Sequence, residues 1–436
     1  MTPFLKSYQN LNLEQKLAVD TIDGPVAVIA GPGTGKTQLL SNRVANILDK
    51  TDTDPNQILC LTYTDSASFN MRQRLLSIIG KDAYKVNIFT FHSLGTEIIN
   101  QNPEYFFYGF GYRPIDAIGQ INIIQNIITN LPLDNVLNSY HPDLGFTYSH
   151  DIIARIKDLK SDGLIPSDFQ TVLEQSHILL QKIQPNFSSL FDVKRINEVK
   201  LEDFSNFYDF VENLEPVETH EFENFKFLPK FLAELDEVKQ QAQEVKLFYK
   251  ALGKFRDNWS KKDHVKKYFL NGLRDYNKHL TLVQIYTDYQ KQLRANRYFD
   301  FEDMLLEVNQ AFKHNLDLKY QYQEKFLYLL VDEFQDTNAV QMDLIKHLTN
   351  FEINDGKPNI MVVGDDDQSI FKFQKATLEN ILDFEKTFTE PKIIYLTKNY
   401  RSKQTILDFS ETVIDQAEIR LSKIQNIPKK LVAVKT

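Results

Sequence analysis

The stretch AVIAGPGTGKTQLL, Ala27 to Leu40, constrains the fold of this chain more tightly than any other. Val26 to Ile29 is a short apolar run suited to a buried strand, and Leu39, Leu40, Val44, Ile47 and Leu48 then recur at helical spacing. A strand, a glycine-rich loop and a helix therefore follow one another. Gly31, Gly33 and Gly35 let the loop fold with its N–H groups turned inward, where the positive end of the helix dipole completes a cradle for anions. Lys36 is placed to reach the β- and γ-phosphates of a nucleotide, and Thr37 to put its hydroxyl on Mg²⁺. The P-loop pattern G-x-x-x-x-G-K-[ST] wants glycine where this chain has Ala30, and the competing reading is a glycine-rich turn without a ligand.

From Pro25 to about residue 100, short apolar runs (PVAVIA, ILCLTY, VNIFTF) alternate with amphipathic segments, which argues for a parallel sheet. Only helical patterns occur between about residues 113 and 312, and strand candidates then return in FLYLLV, NIMVV and IIYL. The expected architecture is one α/β domain, residues 1–112 and 280–436, split by an all-helical insertion over 113–279. Within the insertion Glu198 to Val245 is acidic and Lys254 to Lys278 is basic. A solvated helix face is the ordinary meaning of such a basic run; an approach for a nucleic-acid duplex is the alternative.

A net charge of -9 over 436 residues excludes a generally basic nucleic-acid coat, so any DNA site must be local. The single cysteine, Cys60 in QILCLTY, reads as a buried strand residue, and the nine histidines show no paired metal spacing. The N-terminus has no apolar signal core and no apolar run approaches ~18 residues, so a cytoplasmic protein without a membrane partner is expected.

Nearly 300 residues after the loop, LYLLVDEFQDT is an apolar strand ending in Asp332 and Glu333. An α/β sheet binds its ligands beyond the carboxyl ends of its strands, and a P-loop enzyme needs an acid there. Asp332 is the candidate for the Mg²⁺ shell, and Glu333 for the general base on an attacking water. Two further strand-to-turn segments, MVVGDDDQSIFKFQKA and IIYLTKNYRSKQTI, offer Gln368 to sense a γ-phosphate and Arg401 to neutralise transition-state charge.

In order along the chain, LNLEQKLAV, AGPGTGKT, LTYTDSASFNMRQRL, FTFHSLGTEII, FDFEDML, VDEFQDT, VGDDDQSIFKF and LTKNYRS together resemble the N-terminal half of a UvrD/Rep/PcrA-type superfamily 1 DNA helicase. The resemblance spans residues 11 to about 112 and about 280 to 436. It implies a RecA-like parallel-sheet P-loop NTPase domain with an inserted helical subdomain, using ATP and Mg²⁺ to move 3′ to 5′ along single-stranded DNA and to open duplex at junctions. The nucleotide residues it implies are Gln15 at the adenine edge, Tyr400 stacked on the base, and Ala30, Gly31, Pro32, Gly33, Thr34, Gly35, Lys36, Thr37 and Gln38 around the phosphates. Lys36, Asp332, Glu333, Gln368 and Arg401 would carry catalysis, with Thr37 and Asp332 on the metal. Tyr63, Phe371 and Phe373 match positions whose rings stack on DNA bases, and Thr90 and His92 match a motif near the DNA backbone. Core packing is the competing reading for Tyr63, His92 and Phe373.

The chain departs from the family at several places. Gln38 stands where arginine is frequent, Asp65 and Ser66 replace an amide and a lysine near the DNA path, and Phe373 stands where tryptophan is frequent. About 175–275 is extra sequence without a recognised motif. A second RecA-like domain, bearing a second arginine finger, is expected to be missing from these residues. Two other functions remain open: the motor portion of a helicase-nuclease, and a nucleotide-dependent DNA-binding module that does not unwind.

Overall fold

The computed structural model describes residues 2–106, 112–142, 145–222, 225–263, 266–368, 384–416 and 429–435. It divides into two compact units, one formed by Met1–Ile115, Lys160–Gly163 and Arg297–Thr436, the other by Asp116–Leu159 and Leu164–Asn296.

The first unit is built on six strands: β1 (Val26–Ala30), β2 (Ile58–Thr62), β3 (Asn87–Thr90), β4 (Tyr328–Val331), β5 (Ile360–Gly364) and β6 (Lys392–Leu396). These are the six apolar runs of the sequence. They form one parallel sheet in the order β6-β1-β5-β4-β2-β3. Every residue of β1, β2, β4 and β5 is buried, which is why they read as unbroken apolar runs rather than alternating ones. Register sets Val28 beside Val363 and Ile394. On that face of the sheet Val28, Cys60, Leu330 and Val363 share a core with Leu39, Leu40 and Val44 of the helix Lys36–Lys50 and Met71 and Leu75 of the helix Asp65–Ile79. Burial pushes the Cys60 thiol up to about 12, so it packs rather than reacts.

Strand order decides where chemistry can gather. β1 lies between β5 and β6, both contributed by the chain after the second unit. Because all six strands run the same way, the turns that follow Ala30, Thr62, Thr90, Val331, Gly364 and Leu396 share one edge of the sheet.

Two features mark where the chain leaves and rejoins this unit. Arg113–Pro114 pairs in parallel with Tyr298–Phe299, holding the outgoing and returning segments side by side. The short segment Lys160–Gly163 also belongs here: Lys160 is fully buried, with its ammonium 2.5 Å from Asp300 and 2.6 Å from Asp303.

The second unit is mainly helical. Pro166–Leu190, Leu201–Glu212, Phe227–Gln240 and Val245–Trp259 enclose a core that includes Phe187, Phe204, Phe207, Phe231, Phe248 and Phe255. Phe231 meets Phe255 and Trp259 near edge-on, at 5.0 and 5.1 Å between ring centroids. The stretch of about 175–275 thus carries its own apolar core. The expected all-helical insertion is interrupted by two short hairpins, Tyr140–His141 with Gly145–Phe146 and Ser260–Lys262 with Tyr268–Leu270. Strands of two or three residues carry no readable periodicity, and the second hairpin is closed by the Asp263 carboxylate accepting from the Lys267 N–H. Lys261, Lys262, Lys266 and Lys267 are therefore exposed on a hairpin, not on a helix face. Among the described residues no helix is long and apolar enough to cross a membrane.

Candidate nucleotide site

β1 ends at Ala30, and the loop Gly31–Gly35 follows. Gly33 and Gly35 have φ of 73° and 90°, a region that L-residues rarely adopt. A Cβ on Gly33 would also lie 2.7 Å from that of Arg401 and 2.8 Å from Asn399 Nδ2. Ala30, where the motif pattern wants glycine, is the last residue of the strand and fully buried; its extended backbone accommodates alanine. Thr34 Oγ1 donates to the Gly31 carbonyl at 2.8 Å, tightening the turn. The helix Lys36–Lys50 opens on Gly35 without a side-chain cap, leaving its first N–H groups to the loop interior, the arrangement that receives anions at helix N-termini.

Gln15 is drawn to this loop from the helix Leu13–Asp20. Its Nε2 donates to the Thr34 carbonyl at 2.9 Å while its Oε1 accepts from the Asn12 N–H at 3.0 Å, one half of a capping box. That helix is clamped to the P-loop helix by Arg43, which is buried and donates to the carbonyls of Ala18 (2.8 Å), Thr21 and Ile22 (3.1 Å), and by Asn46 on Val19 (2.9 Å). Tyr400 joins them: its N–H donates to the Gly33 carbonyl at 2.9 Å and its hydroxyl accepts from Asn12 Nδ2 at 3.0 Å. Gln38 is partly buried in the first turn of the P-loop helix.

Two strands away, β4 delivers the acids. Lys36 Nζ lies 2.5 Å from Glu333 Oε2, an ion pair joining residues 297 apart in the chain. Glu333 holds φ 50°, ψ 45°, a left-handed conformation costly for a residue with a side chain and common where structure is committed to function. Asp332 is buried; desolvation, reinforced by Glu333 and opposed by Lys36, raises its pKa to about 6. Burial and Glu333 do the same to Asp336, whose Oδ1 has no hydrogen-bond partner among the described residues. Three carboxylates around one ammonium leave negative charge uncompensated, and carboxylate oxygens are the hard donors that suit Mg²⁺, although no cluster of three acids placed to hold a metal forms among the described residues.

Gln335 links these acids to the turn after β5. Its Nε2 donates to Glu333 Oε2 at 2.9 Å and its Oε1 accepts from the Asp365 N–H at 3.0 Å. Gln368 Nε2 donates to Asp365 Oδ2 at 2.7 Å. Beyond β6, Asn399 Nδ2 donates to the Pro32 carbonyl at 2.5 Å, and its Oδ1 accepts from the N–H groups of Arg401 and Ser402, both at 2.8 Å. A cavity of about 450 Å³ has Gly31, Pro32, Gln368, Asn399 and Arg401 in its wall. The residues expected to handle phosphate thus converge from four strand ends.

The residues expected near DNA occupy the β2 and β3 ends of the same edge. Tyr63 is half-buried, and desolvation with Asp336 nearby raises its phenol pKa. Thr90 caps the helix Phe91–Gln101, accepting from the Ser93 N–H at 3.2 Å. His92 stacks on Phe301, with ring centroids 3.9 Å apart and planes at 24°. Phe371 and Phe373 lie outside the described residues.

Residues 11–389 match the UvrD/REP helicase N-terminal domain. The chain belongs to this family. It is 26% identical over 415 residues to ATP-dependent DNA helicase PcrA of Staphylococcus aureus, an alignment covering 95% of this chain and 41% of that protein. The PcrA of Staphylococcus epidermidis is 27% identical over 416 residues, with the same coverage. The chain therefore spans about two-fifths of the length of these relatives.

Against this family, the departure at Asp65 has a local cause. Thr64 caps the helix Asp65–Ile79, accepting from the Ala67 N–H, and an acidic residue in the first turn complements the helix dipole. Asp65 and Ser66 are both exposed. Four residues that build the site were not singled out from the sequence: Asn12, Gln335 and Asn399 lie inside the quoted motifs beside the residues they support, and only Arg43 lies outside them. Each bonds to a backbone or side-chain atom of a motif residue or its supporting helix.

Proposed function

We propose that these residues form the ATP-binding face of a DNA helicase that moves 3′ to 5′ along single-stranded DNA. The observation that carries this reading is the 2.5 Å pairing of Lys36 with Glu333, which brings the P-loop and the acidic strand end to one point. In this ion pair each neutralises the other. A nucleotide's phosphates would compete for Lys36, releasing the Glu333 carboxylate to accept a proton from the attacking water. Thr37 and Asp332 would hold Mg²⁺, which supplies charge neutralisation to the β- and γ-phosphates when bound. Gln368 and Arg401 would face the γ-phosphate, and Tyr400 and Gln15, both bonded to the carbonyls of the P-loop, the base; the cavity that Gln368 and Arg401 line does not itself reach Lys36 or Glu333. Single-stranded DNA would cross the edge near Tyr63 and His92, where stacking on an aromatic ring is worth ~1–3 kcal/mol per base and tolerates any sequence.

Lys36 and Arg401 would both face the γ-phosphate. We expect phosphate release from Mg·ATP that is slow without DNA and faster with single-stranded DNA bound. Phosphate release from Mg·ATP, measured with and without oligo(dT), tests this. Glu333→Gln is expected to lower the DNA-stimulated rate by ~10²–10⁴. Turnover indifferent to both DNA and Glu333 would contradict the assignment.

A further inference from the structure

The turn after β5 presents Asp365, Asp366 and Asp367 in succession, the first two almost fully buried. Three adjacent carboxylates at a sheet edge repel one another, and Asp332, Glu333 and Asp336 already hold negative charge nearby. The turn is nevertheless tightly ordered: the Asp367 N–H donates to Asp365 Oδ1 at 3.2 Å and the Gln368 N–H to the Asp365 carbonyl at 2.9 Å.

The compensating charge arrives from 62 to 64 residues further along the chain. Lys429 Nζ lies 2.8 Å from Asp365 Oδ1 and 3.0 Å from Asp367 Oδ2, and it also contacts Asp366 Oδ1. The lysine side chain is only 7% exposed. Burial disfavours its charge, yet Asp365 and Asp366 outweigh that and raise its pKa. The segment behind it is fastened to the nucleotide side: Val432 and Val434 donate their N–H groups to the carbonyls of Thr397 and Asn399, both at 2.8 Å. Gln404 accepts from the Ala433 N–H at 2.8 Å. A Cβ on Gly31 would touch Leu431 at 2.9 Å.

The Asp365 carboxylate is thereby divided between two partners. Oδ1 receives Lys429 and Oδ2 receives the Gln368 amide, which keeps one N–H for another acceptor. We infer that Lys429 is a positioning residue: by neutralising the aspartate turn it fixes Asp365, and through Asp365 it aims Gln368 at the γ-phosphate, so that the site tells a nucleoside triphosphate from a diphosphate. This rests on the nucleotide reading above and adds to it a residue outside the motifs that carry the family resemblance.

The experiment is equilibrium binding of fluorescent analogues of ADP and of a non-hydrolysable ATP, with Mg²⁺, to residues 1–436. In the parent the triphosphate binds more tightly. Lys429→Met is expected to lower the triphosphate-to-diphosphate affinity ratio by ~10-fold while leaving diphosphate affinity within about twofold, because removing the charge-assisted bonds that fix Asp365 disorients only the Gln368 contact, which a diphosphate does not make. Gln368→Ala should produce the same loss, the double variant no further loss, and Lys429→Arg should retain the parent ratio within about threefold. A merely structural lysine would change the melting temperature and both affinities together. If Lys429→Met keeps the parent ratio while Gln368→Ala loses it, the positioning role is wrong. Equal ratios in the parent and Gln368→Ala also overturn it, since the residue being aimed would then sense nothing. Should Lys429→Met fail to fold, Asp367→Asn, which removes one of the three carboxylates, and Lys429→Arg still report the ratio. If the parent binds neither nucleotide, the nucleotide reading itself fails, an outcome distinct from the others.

Discussion

Lys36→Ala will reduce binding of Mg·ATP to residues 1–436 by at least ~100-fold, without unfolding them. The ammonium is held against the acids at the end of β4, 2.5 Å from Glu333. Removing it deletes charge-assisted hydrogen bonds to two phosphates, each worth ~1.5–3 kcal/mol, and leaves Glu333 and Asp332 to repel an incoming anion. The scaffold should survive, because the helix Lys36–Lys50 is secured elsewhere. Leu39, Leu40, Val44 and Ile47 are buried in the sheet core, and Arg43 and Asn46 clamp the neighbouring helix. Titration of a fluorescent ATP analogue, with circular dichroism to confirm folding, checks both halves. Parent-like affinity in the variant would mean that the P-loop is only a turn.

Lys160→Met will destabilise the first unit by about 3–5 kcal/mol, the cost of leaving buried charge without its partner. Lys160 is fully buried between Asp300 and Asp303, so methionine removes the ammonium that pairs with two carboxylates that are themselves almost wholly buried. Burial holds the Asp300 carboxyl well above the usual carboxylate range, with Lys160 partly offsetting that and Asp303 reinforcing it. A carboxyl whose folded pKa is raised binds more protons folded than unfolded, so its contribution to stability falls as pH rises from about 4 towards the folded value. Loss of Lys160 raises that value further. The deficit of the variant should therefore be widest near pH 8 and narrow towards pH 5, as measured by urea unfolding. A deficit below ~1 kcal/mol, or one that widens on acidification, would contradict this account of the triad.

The four central strands were legible because a parallel strand buried on both faces must be apolar throughout, and PVAVIA or NIMVV can hardly be anything else. The loop at Gly31–Gly35 was legible because left-handed backbone and close approach to Arg401 leave room only for glycine at Gly33. What stayed hidden is whatever depends on distant partners. Lys160 reads as an ordinary helix lysine until Asp300, 140 residues later, is set against it. Lys429 belongs to no motif, and its partners lie on another strand end. Asp365–Asp367 look like a solvated acidic turn, yet burial and a single lysine make them a fixed support for Gln368. Thr90 shows a further limit: its hydroxyl is engaged in a helix cap, a use that the motif resemblance does not reveal.

Nucleotide and DNA, bound along one edge of the sheet, should behave as one energetic unit. The direct measurement is the affinity of residues 1–436 for a labelled single-stranded oligonucleotide, by fluorescence anisotropy at fixed ionic strength, in saturating Mg·ADP and in saturating non-hydrolysable Mg·ATP analogue. Coupling between two ligand sites typically changes affinity ~5- to 150-fold and must be reciprocal. The account predicts DNA affinities that differ at least ~5-fold between the two nucleotide states, with the difference erased by Lys36→Ala. Identical affinities in both states, with nucleotide demonstrably bound, would contradict it.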